Sequence, residues 1–252
     1  MGNQMFQYAF GKLLEKNRKI KVYFICSKKD FKLGVFKSIS FIDSSNFFIF
    51  FIFRLLIKIK FRYFEYHSCV ENVAFDNIPN FSLVSGYFQS SDILEQNKVF
   101  LKSLFEVSSF QVQKTNNCTI HIRGGDYLTT VFSEINSSPS IPSYWFYRQI
   151  QYLKSNYSID TAKVVSDDLG YARELLSDTG LELIAFQGDA ISDFIQLMTS
   201  SYLIISNSSF AWWAAFLNVH ENPIIIAPKN WVGYHVNLEY PKGIMNQSFL
   251  WR

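Results

Sequence analysis

Arg123 closes an apolar, β-branched run, "CTIHIR" (118–123), that stops at Gly124-Gly125. A guanidinium at the carboxyl end of a buried strand can give two parallel hydrogen bonds to a pair of pyrophosphate oxygens. It would supply without a metal the positive charge that bound magnesium supplies elsewhere. The same guanidinium can instead pair with Asp126, three residues on, and such a pair could also hold it in place for a ligand. A second group with chemical potential is Asn207-Ser208-Ser209, three small polar residues between a strand and a helix that carries Trp212 and Trp213. Ser208 or Ser209 can cap that helix, or its free amides and positive dipole end can hold a phosphate. Gly2-Asn3-Gln4 opens another helix in the same manner. Asp167-Asp168 suits ribose hydroxyls or a base, and it equally suits the capping of a helix.

These residues need a scaffold that brings them together. The second half of the chain alternates strand and helix: "CTIHIR", a helix over 144–154, "AKVVS", "LGYARELL", "LELIAF", a helix over 190–199, "YLIIS", a helix over 210–218 and "PIIIAP". Five short apolar strands separated by helices predict an α/β fold with a parallel sheet covered on both faces. Ligands of such sheets sit at the carboxyl ends of the strands, where Arg123 to Asp126, Asp167-Asp168, Gln187 to Asp189 and Asn207 to Ser209 fall. Trp213 reads as packing, because its helix is apolar nearly all round. The first half offers the helix "MFQYAFGKLLEK" and the strand "KVYFI", which predicts a smaller α/β domain over 1–115. The polar "QVQKTNN" joins it to a second domain over 116–252, whose last segment is expected to pack back on the first.

Composition narrows the function. The 252 residues are 48% hydrophobic and 18% aromatic, with 26 phenylalanines, which describes a globular chain rather than a disordered one. A net charge of +3 and the lack of a basic patch interleaved with aromatics argue against nucleic acid. Three scattered cysteines, Cys26, Cys69 and Cys118, fit reduced thiols in the cytoplasm, and no secretory leader is visible. His67, His121, His220 and His235 form no pair at metal-ligand spacing, so no protein-bound metal is expected. The run from Phe47 to Phe64, "FFIFFIFRLLIKIKFRYF", is interrupted by four cations and is too broken to span a bilayer, which takes ~20 mostly apolar residues. It reads as a core helix or exposed strand of the first domain, or as a peripheral contact with an anionic inner membrane face. No triad of Ser, His and Asp and no P-loop is present, so the residues by themselves point to an enzyme or binder of a nucleotide diphosphate.

Five segments, "GNQMFQYAFG", "HIRGGDY", "VSDDLGYARE", "SNSSFAWWAAFLN" and "IIIAPKNW", occur in an order that resembles the bacterial family 11 glycosyltransferases, the α-1,2-fucosyltransferases. The resemblance implies a GT-B-like fold, two Rossmann-like domains facing across a cleft. The first would serve the acceptor and the second the donor. It implies inverting transfer of L-fucose from GDP-β-L-fucose to the 2-hydroxyl of a galactoside in an oligosaccharide or lipid-linked glycan, with no cofactor and no metal. Arg123 would bind the β-phosphate, while Asn207, Ser208, Ser209 and Phe210 would hold the diphosphate or nucleoside. Gly2, Asn3 and Gln4 would close over donor and acceptor, and Asp126 or His121 would serve as general base. Departures are visible: the family usually has a second arginine where this chain has Gly124, it has a hydrophobic strand ahead of "GNQM" that this sequence lacks, and Ala211 and Phe216 replace a usual Ser and Trp. A catalytically impaired nucleotide-sugar binder, a transferase for another GDP-sugar and a membrane-associated scaffold are the competing readings.

Overall fold

The computed structural model describes residues 1–37, 39–59, 62–66, 78–107 and 113–252; His67, Cys69 and part of the expected linker lie outside them. The chain divides into two compact units, Met1–Ser109 and Phe110–Arg252. The boundary falls a few residues before the expected 115/116. Thr115 is already the first residue of a strand, and its carbonyl accepts a hydrogen bond from the Ser201 hydroxyl at 3.0 Å.

The first unit opens with α1 (Gly2–Arg18), whose Met5, Phe6, Ala9 and Leu13 recur at helical spacing and are fully buried. Its short strands form two parallel pairs: β1 (Ile25–Cys26) with β2 (Ile42–Asp43), and β3 (Tyr63–Tyr66) with β4 (Leu83–Gly86). The strand expected from Lys21 shrinks to Ile25–Cys26. The Glu15 carboxylate takes the Val22 amide at 2.8 Å, which keeps that residue off a strand ladder. α2 (Phe47–Lys58), α3 (Ser91–Gln96) and α4 (Lys98–Leu104) complete the helices of this unit. The apolar 47–64 run is therefore helical through Lys58. It is not the core helix that the sequence allows, because none of its residues is buried.

The second unit is the predicted parallel sheet, with one strand more than expected. Its order is β10-β9-β8-β5-β6-β7, built from β5 (Thr115–Ile122), β6 (Thr161–Ser166), β7 (Glu182–Ala185), β8 (Ser200–Ile205), β9 (Ile224–Ala227) and β10 (Leu250–Trp251). α5 (Ser143–Tyr157), α6 (Leu169–Leu175), α7 (Ala190–Thr199) and α8 (Ser209–Phe216) connect them. Ile120, Ile122, Val164, Ile204 and Ile226 pack with Trp145, Phe146 and Ile150 of α5 into one core. The C-terminal segment ends as an edge strand of this sheet. Leu250 and Trp251 pair with β9, and the Arg252 carbonyl accepts from Trp145 Nε1 at 2.7 Å and Lys229 N at 2.9 Å.

From β5 the chain builds outward through β6 and β7 on one side, then crosses to β8 and builds outward through β9 and β10 on the other. The connections therefore diverge between β5 and β8. A crevice opens at the carboxyl ends of two strands where their connections leave in opposite directions, and such switch points are where ligands of doubly wound sheets bind.

Candidate active site

Arg123 lies at one side of that switch point and Asn207-Ser208-Ser209 at the other. Ser206, the first residue after β8, ties the two together. Its hydroxyl accepts the Arg123 amide at 3.1 Å and shares a 2.9 Å hydrogen bond with His121 Nδ1, while its own amide donates to the His121 carbonyl at 3.1 Å. The signal for Ser206 was its place as the polar residue that ends "YLIIS", and sequence reasoning passed over it.

The Arg123 side chain is 35% exposed and sits between two carboxylates. Nη1 meets Asp167 Oδ2 at 2.9 Å and Nη2 meets Asp126 Oδ1 at 2.6 Å. The pairing with Asp126 anticipated from spacing is present. Asp167, considered for ribose or base, turns toward the guanidinium and also accepts the Gly124 amide at 2.8 Å. Asp168 caps α6 through Tyr171 N at 3.0 Å, so the capping alternative holds for that residue. Asp189 caps α7 likewise, through Ser192 N at 2.8 Å.

The floor of the site is formed by buried polar groups that bond to one another. His121 is buried, and burial, reinforced by the Arg123 charge, pushes its pKa down to about 3. It is neutral at physiological pH and bonded to Ser206, an arrangement suited to supporting the Arg123 backbone. Tyr127, also passed over, lies under the guanidinium with its ring centre 5.5 Å from Cζ, and its hydroxyl reaches the Asn207 carbonyl at 3.3 Å. Burial raises its pKa to about 12.

On the β8 side, the Asn207 side chain is buried and anchors the 139 loop by donating to the Pro139 carbonyl at 2.7 Å. Ser208 occupies the N-cap of α8, yet no side chain caps that turn, and the first backbone bond within the helix runs from Trp212 N to Ser208 O at 2.9 Å. The capping role that the sequence allowed for Ser208 and Ser209 is not filled by their hydroxyls. Phe210 is half-buried, its ring against Phe194 and His121. Trp212 and Trp213 are fully buried, as packing requires.

Asp193, on α7 behind the end of β7, is a further residue that no motif pointed to. Burial raises its pKa to about 6, and its Oδ1 is sealed from solvent without a hydrogen-bond partner. In the first unit, Gln4 is fully engaged, donating to the Asp30 carbonyl at 2.7 Å and accepting the Lys32 amide at 2.8 Å. Asn3 accepts from Gln89 Nε2 at 3.2 Å, and Gly2 is buried at the start of α1, whose first turn has no side-chain cap. Among the described residues, no three His, Cys, Asp or Glu side chains gather as metal ligands would.

Comparison with known proteins adds a family to this geometry. The chain is 24% identical to the O-antigen biosynthesis glycosyltransferase WbnK of Escherichia coli, with 92% of each chain covered. It is 26% identical to an alpha-1,2-colitosyltransferase of the same organism, covering 92% of this chain and 89% of that one. Among solved structures, the crystal structure of POFUT1 in complex with GDP aligns with 66% of this chain and 72% of its own, at 11% identity and a TM-score of 0.40. Residues 1–239 match the model of glycosyl transferase family 11, and the chain belongs to that family.

Proposed function

We propose that this glycosyltransferase moves L-fucose from GDP-β-L-fucose to the 2-hydroxyl of a galactoside, with inversion and with Arg123 in place of a metal. The acceptor would be a galactose-containing, cell-surface glycan, lipid-linked while it is built. The observation that carries the reading is the Arg123 guanidinium fixed at the switch point beside the uncapped first turn of α8. Together they offer a fixed charge and backbone amides to the β-phosphate of the leaving GDP.

Charge counting suggests how the donor enters. Arg123 with Asp126 and Asp167 carries a net charge of −1, which repels a diphosphate until one carboxylate withdraws. Asp167 is tied to the Gly124 amide as well. The Asp126 side chain is 61% exposed, on a 3-10 turn (Gly125–Leu128), and it is the one placed to yield. The diphosphate would then take the Nη2 edge, and the released Asp126 carboxylate would be available to accept the proton of the acceptor hydroxyl. His121 would act by positioning Arg123 through Ser206.

A second reading, transfer of a different sugar, is favoured by the colitosyltransferase name of one relative. The test is GDP release and product linkage with GDP-fucose and GDP-mannose over a panel of galactosides, with and without chelator. Fucosyl transfer to the 2-hydroxyl, unaffected by chelator, is expected; metal dependence or a preference for mannose overturns the reading, and binding without turnover points to an impaired enzyme. Arg123→Ala should lower turnover by a factor on the order of 10²–10³ while the fold survives. Near-normal rates in that variant would remove its assigned role.

A further inference from the structure

Helix α2 is apolar at ten of its twelve positions, the others being Arg54 and Lys58, yet it contributes nothing to the core. Ile49, Phe53 and Leu56, spaced to share one side of the helix, are half-buried, and the wide arc opposite is open. On that arc Phe47 is 82% exposed, Phe48 71%, Phe51 58% and Leu55 47%. Apolar surface of this extent on a helix marks a contact with something outside the chain.

The charges identify the partner. Arg54 and Lys58 stand amid the exposed apolar side chains, with the Arg54 guanidinium 5.1 Å from the Phe50 ring centre, and Arg62 follows. No Asp or Glu occurs between Asp43 and Glu65. A second copy of the chain would set these cations against themselves, whereas a bilayer with anionic headgroups accepts rings between its acyl chains and cations at its phosphates. At roughly 1.5 Å per residue the helix is about 18 Å long, short of the ~30 Å of hydrocarbon it would need to cross. Among the described residues no helix is long and apolar enough to span a membrane. The Asn46 side chain, accepting from Phe48 N at 3.1 Å and Ile49 N at 3.5 Å, fixes the start of α2 without help from a partner.

We propose that α2 lies in the plane of an anionic membrane surface, with Phe47, Phe48, Phe51 and Leu55 in the interface and Arg54 and Lys58 on lipid phosphates. The inference stands on α2 alone. Its use, to bring the enzyme to a lipid-linked acceptor, rests on the transferase reading above.

The test is cosedimentation of the full chain with vesicles of phosphatidylcholine alone and of phosphatidylcholine with about 30 mol % phosphatidylglycerol. Binding to the anionic vesicles that weakens with salt is expected. Two variants, Phe47→Ser with Phe48→Ser and Phe51→Ser, and Arg54→Glu with Lys58→Glu, should each lose about tenfold or more of it. GDP release with a water-soluble galactoside should be unchanged in both. Equal binding to both vesicles, binding by the variants equal to that of the parent, or dimerisation in the ultracentrifuge that the phenylalanine variant abolishes would overturn the proposal. Vesicle binding intact in a protein that transfers no sugar would sink the transferase reading and leave this one standing.

Discussion

α2 and α8 are the two most apolar helices of the molecule, and they meet opposite fates. Six of the eight residues of α8 are buried, whereas α2 buries none of its twelve. A helix apolar on every side is stable in water only when protein surrounds it. α8 is so surrounded: Trp212 stacks on Phe216, meets Trp213 edge to face and donates Nε1 to the Ile244 carbonyl at 3.1 Å. Packed in this way, α8 sets where its first turn stands at the end of β8. α2 holds no functional group in place and is free to present its surface. Similar apolarity thus yields a buried foundation in one unit and an open face in the other, and the packing around each helix decides which.

The contrast can be broken most sharply at Trp212. Trp212→Ala should cost about 3–5 kcal/mol, read as a lower urea midpoint, and should carry GDP binding down with it. A loss under about 1 kcal/mol would mean that α8 is not the foundation described. A smaller effect is expected from pH. His121 has its pKa lowered from 6.5 to about 3, so below pH 6.5 the unfolded chain takes up a proton that the folded chain refuses. Its contribution to stability is complete above pH 6.5 and declines as pH falls through that window. Between pH 6.5 and 5 the parent should lose thermal stability relative to His121→Asn, because Asp193, whose raised pKa adds stability as pH falls through about 6, contributes equally to both. The same slope in both would show that His121 is accessible to protons. The smallest effect belongs to α2: Phe48→Ser should shift stability by no more than about 0.5 kcal/mol, measured by the same urea titration. A cost several times larger would place α2 in a core.

Much of the second unit was legible because its strands are buried on both faces and read as unbroken β-branched runs, such as "CTIHI" and "LIIS". Leu250–Trp251 was not, since a two-residue edge strand leaves no pattern to detect. The first unit was harder for the same reason, its pairs being two and four residues long. Of the stretch from Ile57 to Tyr63, whose alternation suggested a strand, Ile57 and Lys58 end α2, Tyr63 opens β3, and residues 60 and 61 lie outside the described residues. At the site, Arg123 and Asn207 to Ser209 were recognisable as polar residues at strand ends, and their adjacency follows from the order of the strands. The partner of Asp167 was not readable, because a carboxylate after a strand can serve a helix, a ligand or a neighbouring guanidinium, and only the fold chooses. Ser206 and Tyr127 escaped notice because each acts through a single hydroxyl with no spacing rule.

The glycine pair after β5 limits what can follow Arg123. A Cβ placed at Gly124 would stand 3.1 Å from both Asp168 Cβ and Tyr171 Cδ1. At Gly125, with φ +47°, it would stand 2.7 Å from Asp167 Oδ2. The start of α6 borders the space a side chain would need, so a residue larger than glycine at position 124 would have to push Asp168 and Tyr171 aside by a few tenths of an ångström, and the tip of β5 and the cap of α6 can only be redesigned together.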